Sequence, residues 1–360
     1  MEILKFNGVY KDYIWGGEKM REKFNITTDT SPVAESWILS CHKDGMSIIS
    51  EGEHKGLSLS DYIKNNPESL GNSCPDTELP ILIKFIDAAN SLSVQVHPDD
   101  EQAKMMENQN GKTEMWYIVD AEKDAKITYG VKKDISKEEL KNAIENETVE
   151  ELLDCVPSKK GDVFFVEAGT IHAIGKGNII AEIQQNSNVT YRLYDYGRRG
   201  KDGKPRELHI EKGVLAAKTE KITPKKIPLC SDNTKMIGNC QYFQVREITL
   251  NDEEYKLLSC EKSYHALIQT EGESTIVYDG GKEKLRAGEC VFIPANSGEY
   301  YILGKGITLL CQNPPKYYLE KKDGKMSVVD EYGVVYATDE SKEDLIKNAG
   351  LSPCDIENFN

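Results

Sequence analysis

Four side chains of types that commonly bind metals stand in or beside apolar, strand-like runs of this chain: Gln95, His97, Glu114 and His172. A strand places residues i and i+2 on the same face, so the amide of Gln95 and the imidazole of His97 should point the same way. Together the four offer two nitrogens, one carboxylate and one amide oxygen. This set suits a divalent metal of the zinc kind, with one coordination position left for a substrate.

The elements that must position these ligands are predicted to be β-strands. Apolar runs bounded by turn residues indicate strands at 79–87, 92–97, 115–119, 125–129, 162–167 and 178–184. Apolar residues at helical spacing predict short helices at 57–70, 137–155 and 211–218. From about residue 240 the pattern is almost entirely β, with turn signals such as Asp279-Gly-Gly281 between short apolar runs.

A faint internal repeat suggests that the β-rich architecture occurs twice. Residues 160–172 align with 287–299 at an offset of 127, and in both a Gly-acid pair opens an apolar strand that a small-residue turn follows. Many short strands with regular turns are typical of jelly rolls. We therefore predict a mainly β fold of two jelly-roll β-barrels with a few short helices. The second copy has Glu299 in place of His172 and no Gln-x-His, so the metal is expected only in the first. Chance similarity of two strand-turn units is the alternative.

Composition narrows the classes of partner. The chain has 360 residues, of which 39% are hydrophobic and 29% charged, as in ordinary globular proteins. The net charge of −15 argues against nucleic acid or an anionic membrane as a partner. No apolar run approaches the roughly 18 residues of a membrane span, so we expect a cytoplasmic protein. Nine cysteines, an odd number without a CxxC pair, are predicted to be reduced thiols.

Several motifs carry a family resemblance when they are taken in order. They are Gln95-Val-His-Pro98, Lys112-Thr-Glu-Met-Trp116, Ala168-Gly-Thr-Ile-His172 and the run 188–198. The chain resembles the type I mannose-6-phosphate isomerases of the cupin superfamily, and their short bacterial form most closely. The resemblance runs from about residue 6 to about residue 315. It implies one zinc ion per chain, held by Gln95, His97, Glu114 and His172.

The same resemblance implies further active-site residues. Arg192 takes the place of the family's active-site arginine, and Glu182 the place of its proton-transfer base. Burial beside Ala181 and Ile183 should raise the pKa of Glu182 toward neutrality, where a carboxylate can shuttle a proton. The alternatives are an exposed strand carboxylate for Glu182 and a structural salt bridge to Asp195 for Arg192.

The substrate's phosphate is expected to contact Ser93, Lys112 and Lys84, which match the family's phosphate-binding serine and two of its lysines. Surface roles for the two lysines are the alternative.

The chain departs from the family's pattern at Gly111. Many members have a histidine there, proposed to assist ring opening, so this chain must use another group or water for that step.

The resemblance implies a metal-dependent aldose–ketose isomerase that interconverts D-mannose 6-phosphate and D-fructose 6-phosphate by zinc-assisted proton transfer through a cis-enediol. The expected partner is a phosphorylated hexose, and the chain should be a monomer or small homo-oligomer. Two alternatives stay open. A non-catalytic sugar-binding or regulatory bicupin is one, and an Fe(II)-dependent cupin oxygenase is the other, since two histidines and a carboxylate also suit Fe(II).

Pattern and resemblance together predict three parts. Residues 1–225 should form a metal-binding, cupin-like catalytic domain with short helical insertions. Residues 226–318 should form a second cupin-like jelly roll without metal ligands. Residues 319–360 are a C-terminal extension of unknown role, in which a hairpin at 325–336 and a short helix at 339–348 are predicted.

Overall fold

The structure is a computed structural model that describes residues 2–74, 76–200, 202–223, 227–322, 325–339 and 341–357. The chain divides into two compact units. Unit 1 consists of Gly8–Ser47 and Ile81–Thr223. Unit 2 consists of Met1–Asn7, Ile48–Pro80 and Pro224–Asn360.

Short antiparallel strands make up most of the regular structure. In chain order to residue 223, the described strands are β1 (Leu4–Asn7), β2 (Val9–Lys11), β3 (Glu35–Leu39), β4 (Ile48–Ile49), β5 (Ile81–Ala88), β6 (Val94–Val96), β7 (Glu114–Ala121), β8 (Lys126–Val131), β9 (Leu153–Pro157), β10 (Val163–Val166), β11 (His172–Ile174), β12 (Asn178–Gln185) and β13 (Tyr191–Tyr194). Those that follow are β14 (Lys235–Asn239), β15 (Gln244–Asn251), β16 (Tyr255–Ser259), β17 (His265–Tyr278), β18 (Gly281–Arg286), β19 (Cys290–Ile293), β20 (Gly298–Gln312), β21 (Tyr317–Lys322), β22 (Lys325–Asp330), β23 (Val335–Asp339) and β24 (Ile356–Glu357).

The helices are short and lie between strands. The α-helices of the described ranges are α1 (Lys19–Lys23), α2 (Leu59–Asn65), α3 (Asp100–Glu107), α4 (Lys137–Glu145), α5 (Ile210–Ala216) and α6 (Lys342–Asn348). Single 3₁₀ turns occur at Pro67–Leu70, Val149–Glu151 and Pro353–Asp355. No helix within the described ranges is both long enough and apolar enough to span a bilayer.

The described residues of unit 1 form two sheets. One has the strand order β10-β7-β12-β5-β3-β2, and the other β13-β6-β11-β8-β9. Alternate side chains of a strand point to the same face. Inward-pointing residues of both sheets therefore meet in one core cluster, which contains Trp116, Ile180, Ile127 and Ile174. The core of unit 1 lies between the sheets.

A second cluster of unit 1 covers the outer face of the five-stranded sheet. Leu140 and Ile144 of α4 and Ala216 of α5 pack there with Val94 and Val96 of β6. Because these two valines point outward to the helices, the alternation of the strand turns Gln95 inward. The packing of α4 and α5 thus fixes the orientation of β6, the strand that carries the predicted ligand Gln95.

Unit 2 holds a nine-stranded sheet with the path β14-β15-β20-β17-β19-β1-β4, on which β16 and β18 pair with β20 and β17. Its second sheet, β23-β22-β21-β24, belongs to the C-terminal extension. There the predicted hairpin and helix are confirmed: β22 and β23 pair antiparallel and α6 follows them. Tyr317, Tyr336 and Leu345 form part of the extension's own apolar cluster. In the second copy of the repeat, Glu299 is exposed and pairs with Lys256 at 2.7 Å.

The predicted mainly β fold with short helices is confirmed, although the described strands form open sheets rather than closed barrels. The helix predicted at 137–155 is too long. It ends at Glu145, and Leu153 instead joins β9, which pairs with β8. The three-part division of the chain stays a prediction. Its boundary at 225/226 lies outside the described residues, and unit 2 also includes residues 48–80.

Candidate active site

Three of the predicted ligands converge in the core of unit 1. The ligating atoms of His97, Glu114 and His172 all lie within 4.8 Å of one another, and all three residues are buried. Glu114 is central, with its Oε2 3.6 Å from Nε2 of His97 and its Oε1 3.4 Å from Nε2 of His172. Ligand atoms about 2.0 to 2.2 Å from a tetrahedral Zn²⁺ are roughly 3.3 to 3.6 Å apart. The spacing therefore fits a small divalent cation.

Backbone carbonyls orient both imidazoles. Nδ1 of His97 lies 2.8 Å from the carbonyl oxygen of Val189, and Nδ1 of His172 lies 2.8 Å from that of Thr170. Each Nδ1 must carry the proton to donate there, which leaves the lone pair of Nε2 facing Glu114. Burial lowers the pKa of His172 to about 4 and that of His97 well below its ordinary value. Both rings are neutral at pH 7, as metal ligands must be.

The pairing register of β6 places Gln95 beside the three buried ligands. Gln95 is the cross-strand partner of His172 on one side and of Arg192 on the other. Its Nε2 lies 3.3 Å from Nε2 of His172. A rotation of the amide group by about 180° would exchange the positions of Nε2 and Oε1 and bring Oε1 next to His172, since the amide oxygen and nitrogen are nearly indistinguishable in position and size. Gln95 can therefore supply the fourth, oxygen ligand.

A chain of alternating charges runs from the ligands into the sheet. Lys112 Nζ lies 2.8 Å from Glu114 Oε2 and 3.3 Å from Glu182 Oε1. Lys84 Nζ lies 3.4 Å from the same oxygen of Glu182 and 3.3 Å from Glu35 Oε1. All five side chains are at most 8% exposed. Buried charges of this kind are stable only when they are paired.

The environment of Glu182 corrects one expectation from the sequence. Burial does act to raise the pKa of Glu182, but the charges of Lys112 and Lys84 outweigh it and lower the pKa to about 2. The predicted shift toward neutrality is therefore wrong in direction. The sequence showed only the apolar neighbours along the strand, whereas the two lysines lie on other strands or loops.

The pKa of Glu114 is shifted in the opposite direction to that of Glu182. Burial, and then the charge of Glu182, raise its pKa to about 8. Its Oε1 has no hydrogen-bond partner among the described residues. A buried carboxylate that is costly to ionise and has an unsatisfied oxygen is an environment that a bound cation would stabilise. The residues present thus fit a divalent metal.

Removal of Lys84 should destabilise the fold, because Glu35 and Glu182 would lose a shared partner. We expect Lys84→Met to lower the free energy of unfolding by about 3 to 5 kcal/mol, the usual cost of breaking a buried ion pair. Denaturant unfolding measures this change. Lys19→Met is the matched control, since Lys19 pairs with Glu122 at the surface and its loss should cost less than about 1 kcal/mol. Equal midpoints for the two variants would contradict the structural importance of the chain of charges.

A cleft of about 220 Å³ opens beside the ligands. Gln95, Lys84, Lys112 and Glu182 are on its wall, and so are Ser93 and Arg192. Arg192 Nε donates to Ser93 Oγ at 3.3 Å, and its Nη1 donates to the carbonyl oxygen of Glu207 at 2.8 Å. The structure thus brings all nine predicted site residues to one place.

The alternative partner of Arg192, Asp195, is engaged elsewhere. Its carboxylate accepts hydrogen bonds from Arg198 at 2.6 Å and from Arg206 at 2.7 Å. Arg206 also lines the cleft. Sequence reasoning did not assign this residue a role.

Glu35 was also missed as part of the site, although it lines the cleft and holds Lys84. Its Oε2 accepts a hydrogen bond of 2.6 Å from Nε1 of Trp37. The usable signal was the Glu-x-Trp spacing, which places both side chains on one face of β3.

The absence of a side chain at position 111 has a structural explanation. A Cβ at this position would come within 2.6 Å of the backbone nitrogen of Asp100, at the start of α3. The amide of Gly111 also donates to Asp100 Oδ1 at 2.8 Å. A histidine cannot be accommodated here unless α3 moves.

The β-sheet scaffold, the buried His-Glu-His set and the adjoining cleft define a metal-site protein of the cupin type. Comparisons with known proteins agree. The family profile described as phosphomannose isomerase type I, catalytic domain, matches residues 3–123, and that of the mannose-6-phosphate isomerase cupin domain matches 232–313.

Among curated relatives, mannose-6-phosphate isomerase ManA of Bacillus subtilis (strain 168) is 37% identical over 309 residues, which are 84% of this chain and 96% of the relative. The mannose-6-phosphate isomerase of Streptococcus mutans is 39% identical over 235 residues, 64% of this chain and 74% of the relative. The crystal structure of the mannose 6-phosphate isomerase from Bacillus subtilis superposes with a TM-score of 0.81 at 31% identity, covering 86% of this chain and 99% of that one. This chain therefore belongs to the type I phosphomannose isomerases, and the predicted family and isomerase activity are confirmed.

Proposed function

We propose that the chain interconverts D-mannose 6-phosphate and D-fructose 6-phosphate in the cleft of unit 1, through a cis-enediol. The observation that carries the proposal is the position of Glu182. This ionised carboxylate lies on the cleft wall, and Lys112 bridges it to the ligand Glu114 with contacts of 3.3 and 2.8 Å. A base next to a metal site is the arrangement that aldose–ketose proton transfer needs.

His97, Glu114, His172 and Gln95 would hold one zinc ion, since neutral imidazoles and a carboxylate are the ligands that Zn²⁺ prefers. When bound, the metal would draw electron density from a sugar oxygen, which makes the adjoining C–H more acidic. The backbone carbonyls behind both imidazoles keep the ligand atoms directed at one point.

Glu182 would take the proton from C2 of the aldose and return it to C1. Its lowered pKa keeps it ionised at neutral pH, so it can accept a proton, and the two lysines that lower the pKa make it a weaker base than a carboxylate with a pKa of about 7. Lys84 and Lys112, both 3.3 to 3.4 Å from Oε1, hold that carboxylate in place. We assign these lysines chiefly to positioning, because carboxylates already occupy both ammonium groups.

Arg192 and Ser93 would bind substrate at the more open side of the cleft. Arg192 is anchored by Ser93 Oγ and by the carbonyl of Glu207, which fixes the plane of its guanidinium group. A planar fork held in this way is suited to oxygen atoms of a sugar or a phosphate.

The test is a coupled assay for conversion of mannose 6-phosphate to fructose 6-phosphate, with and without a chelator. We expect conversion that the chelator abolishes and that added Zn²⁺ restores. Conversion that survives complete removal of metal would refute the metal-dependent mechanism. Absence of conversion by the zinc-loaded chain would refute the assigned substrate pair.

A further inference from the structure

We propose that Arg206, together with Arg192, binds the phosphate group of the sugar phosphate, and that the inner lysines do not. This inference rests on the proposed function and deepens it. It assigns the phosphate subsite to the more open side of the cleft.

The inner part of the cleft does not favour a phosphate. Lys84 lies between Glu35 and Glu182, and Lys112 between Glu182 and Glu114, so three carboxylates surround two ammonium groups. A phosphate placed there would have to displace carboxylates that already pair with both ammonium groups, and breaking a buried ion pair is costly. The lysine side chains are also only 6 to 7% exposed.

Beside the more open side of the cleft, positive side chains outnumber carboxylates. Arg192, Arg198 and Arg206 are grouped around one buried carboxylate, that of Asp195, with the exposed Glu207 beside them. The local excess of positive charge contrasts with the net charge of −15 of the whole chain. Such a local field attracts an anionic substrate to an otherwise acidic protein.

Asp195 also fixes the orientation of Arg206. Nε of Arg206 donates to Asp195 Oδ2 at 2.7 Å, and its Nη2 donates to Oδ1 at 2.5 Å. This two-point contact sets the plane of the guanidinium group. Nη1 of Arg206 has no partner among the described residues, and neither has Nη2 of Arg192, whose Nε and Nη1 are bonded to Ser93 and Glu207. Each arginine thus keeps one donor group for a ligand.

The two arginines are close enough to repel each other. Burial, and next the charge of Arg206, lower the pKa of Arg192. Two guanidinium groups that both line one cleft are stabilised when an anion lies between them. Ser93 and Thr190 line the same cleft and add hydroxyl groups of the kind that bind phosphate oxygens.

The test compares Arg206→Gln with Arg199→Gln in the zinc-loaded chain. Arg199 is an exposed arginine near Arg206 in the sequence, so its loss removes the same charge without touching the cleft. In the isomerase assay we expect Arg206→Gln to raise KM for mannose 6-phosphate by about 10- to 100-fold, the usual effect of losing a hydrogen bond to a charged group, with kcat within about threefold. Arg199→Gln should stay within about twofold of the unmodified chain. Arg206→Lys should give an intermediate KM, because lysine keeps the charge but lacks the fork. An unchanged KM, or a fall in kcat at constant KM, in Arg206→Gln would overturn the assignment.

A titration of inorganic phosphate separates this inference from the proposed reaction. Calorimetry should show phosphate binding to the zinc-loaded chain, at least about tenfold weaker in Arg206→Gln and unchanged in Arg199→Gln. This result does not depend on turnover, so it stands even if mannose 6-phosphate proves not to be the substrate. Equal phosphate affinity in all three proteins, or no binding to the unmodified chain, would refute the subsite.

Discussion

Replacing His97 with alanine is expected to remove the metal from the chain and abolish isomerisation. Nε2 of His97 lies 3.6 Å from Glu114, and its ring is held by the carbonyl of Val189. Without this ligand the remaining side chains form an incomplete set for zinc. We expect bound zinc to fall from about one per chain to a small fraction and activity to fall by roughly 10³-fold or more, because the metal supplies several kcal/mol of stabilisation to the transition state.

The matched control for this variant is His42→Ala. His42 is another buried histidine of unit 1, but it does not belong to the His-Glu-His set. Elemental analysis of the purified proteins should find zinc retained in His42→Ala and lost in His97→Ala. Retention of zinc in both would place the metal elsewhere in the chain.

Glu182→Gln should separate proton transfer from metal binding. Glutamine keeps the shape of the side chain but removes the charge that accepts the proton. We expect the variant to retain zinc and to lose about 10²- to 10⁴-fold in turnover, the range for loss of a general base. The rate of deuterium incorporation at C2 of mannose 6-phosphate in D₂O should fall by the same factor, since the same proton transfer limits both.

Glu122→Gln controls for the loss of a carboxylate. Glu122 is exposed at the end of β7 and pairs with Lys19. Its substitution should leave turnover and exchange unchanged. Deuterium exchange at the unmodified rate in Glu182→Gln would exclude Glu182 as the base, whatever happened to overall turnover.

The parts of the site that follow from local geometry could be predicted from the sequence. The spacing of Gln95 and His97 required a shared face, and Val94 and Val96 pack on the opposite face, against α4 and α5. The hairpin of β22 and β23 was predictable for a similar reason, because its turn residues and apolar alternation lie within a dozen residues.

The electrostatics of the site could not be predicted, because they depend on pairing between distant strands. Glu182 is the cross-strand partner of Lys84, which precedes it by almost a hundred residues. Residues next to Glu182 in the sequence are apolar and suggested a raised pKa, whereas its spatial neighbours lower it. Arg206 was not assigned for the same reason, since its position depends on Asp195 and on the path of the loop between them.

Helix boundaries also depend on pairing between distant strands and could not be predicted from the local pattern. In the run 137–155 the helical pattern continued into residues that tertiary pairing places in β9. The helix α3 was not predicted, although Asp99 caps it by accepting a hydrogen bond of 2.8 Å from the amide of Gln102. Its apolar pattern is weak, since Ala103 is its only fully buried residue, and a cap alone does not predict a helix.

A titration of the metal-free chain with Zn²⁺ tests whether a single metal site supports isomerisation. Isomerisation of mannose 6-phosphate is measured as a function of zinc bound per chain. One site built from His97, Glu114 and His172 predicts activity that rises in proportion to bound zinc and saturates at about one equivalent. Full activity without zinc, or activity that does not follow occupancy of a single site, would contradict a catalytic zinc site at these residues.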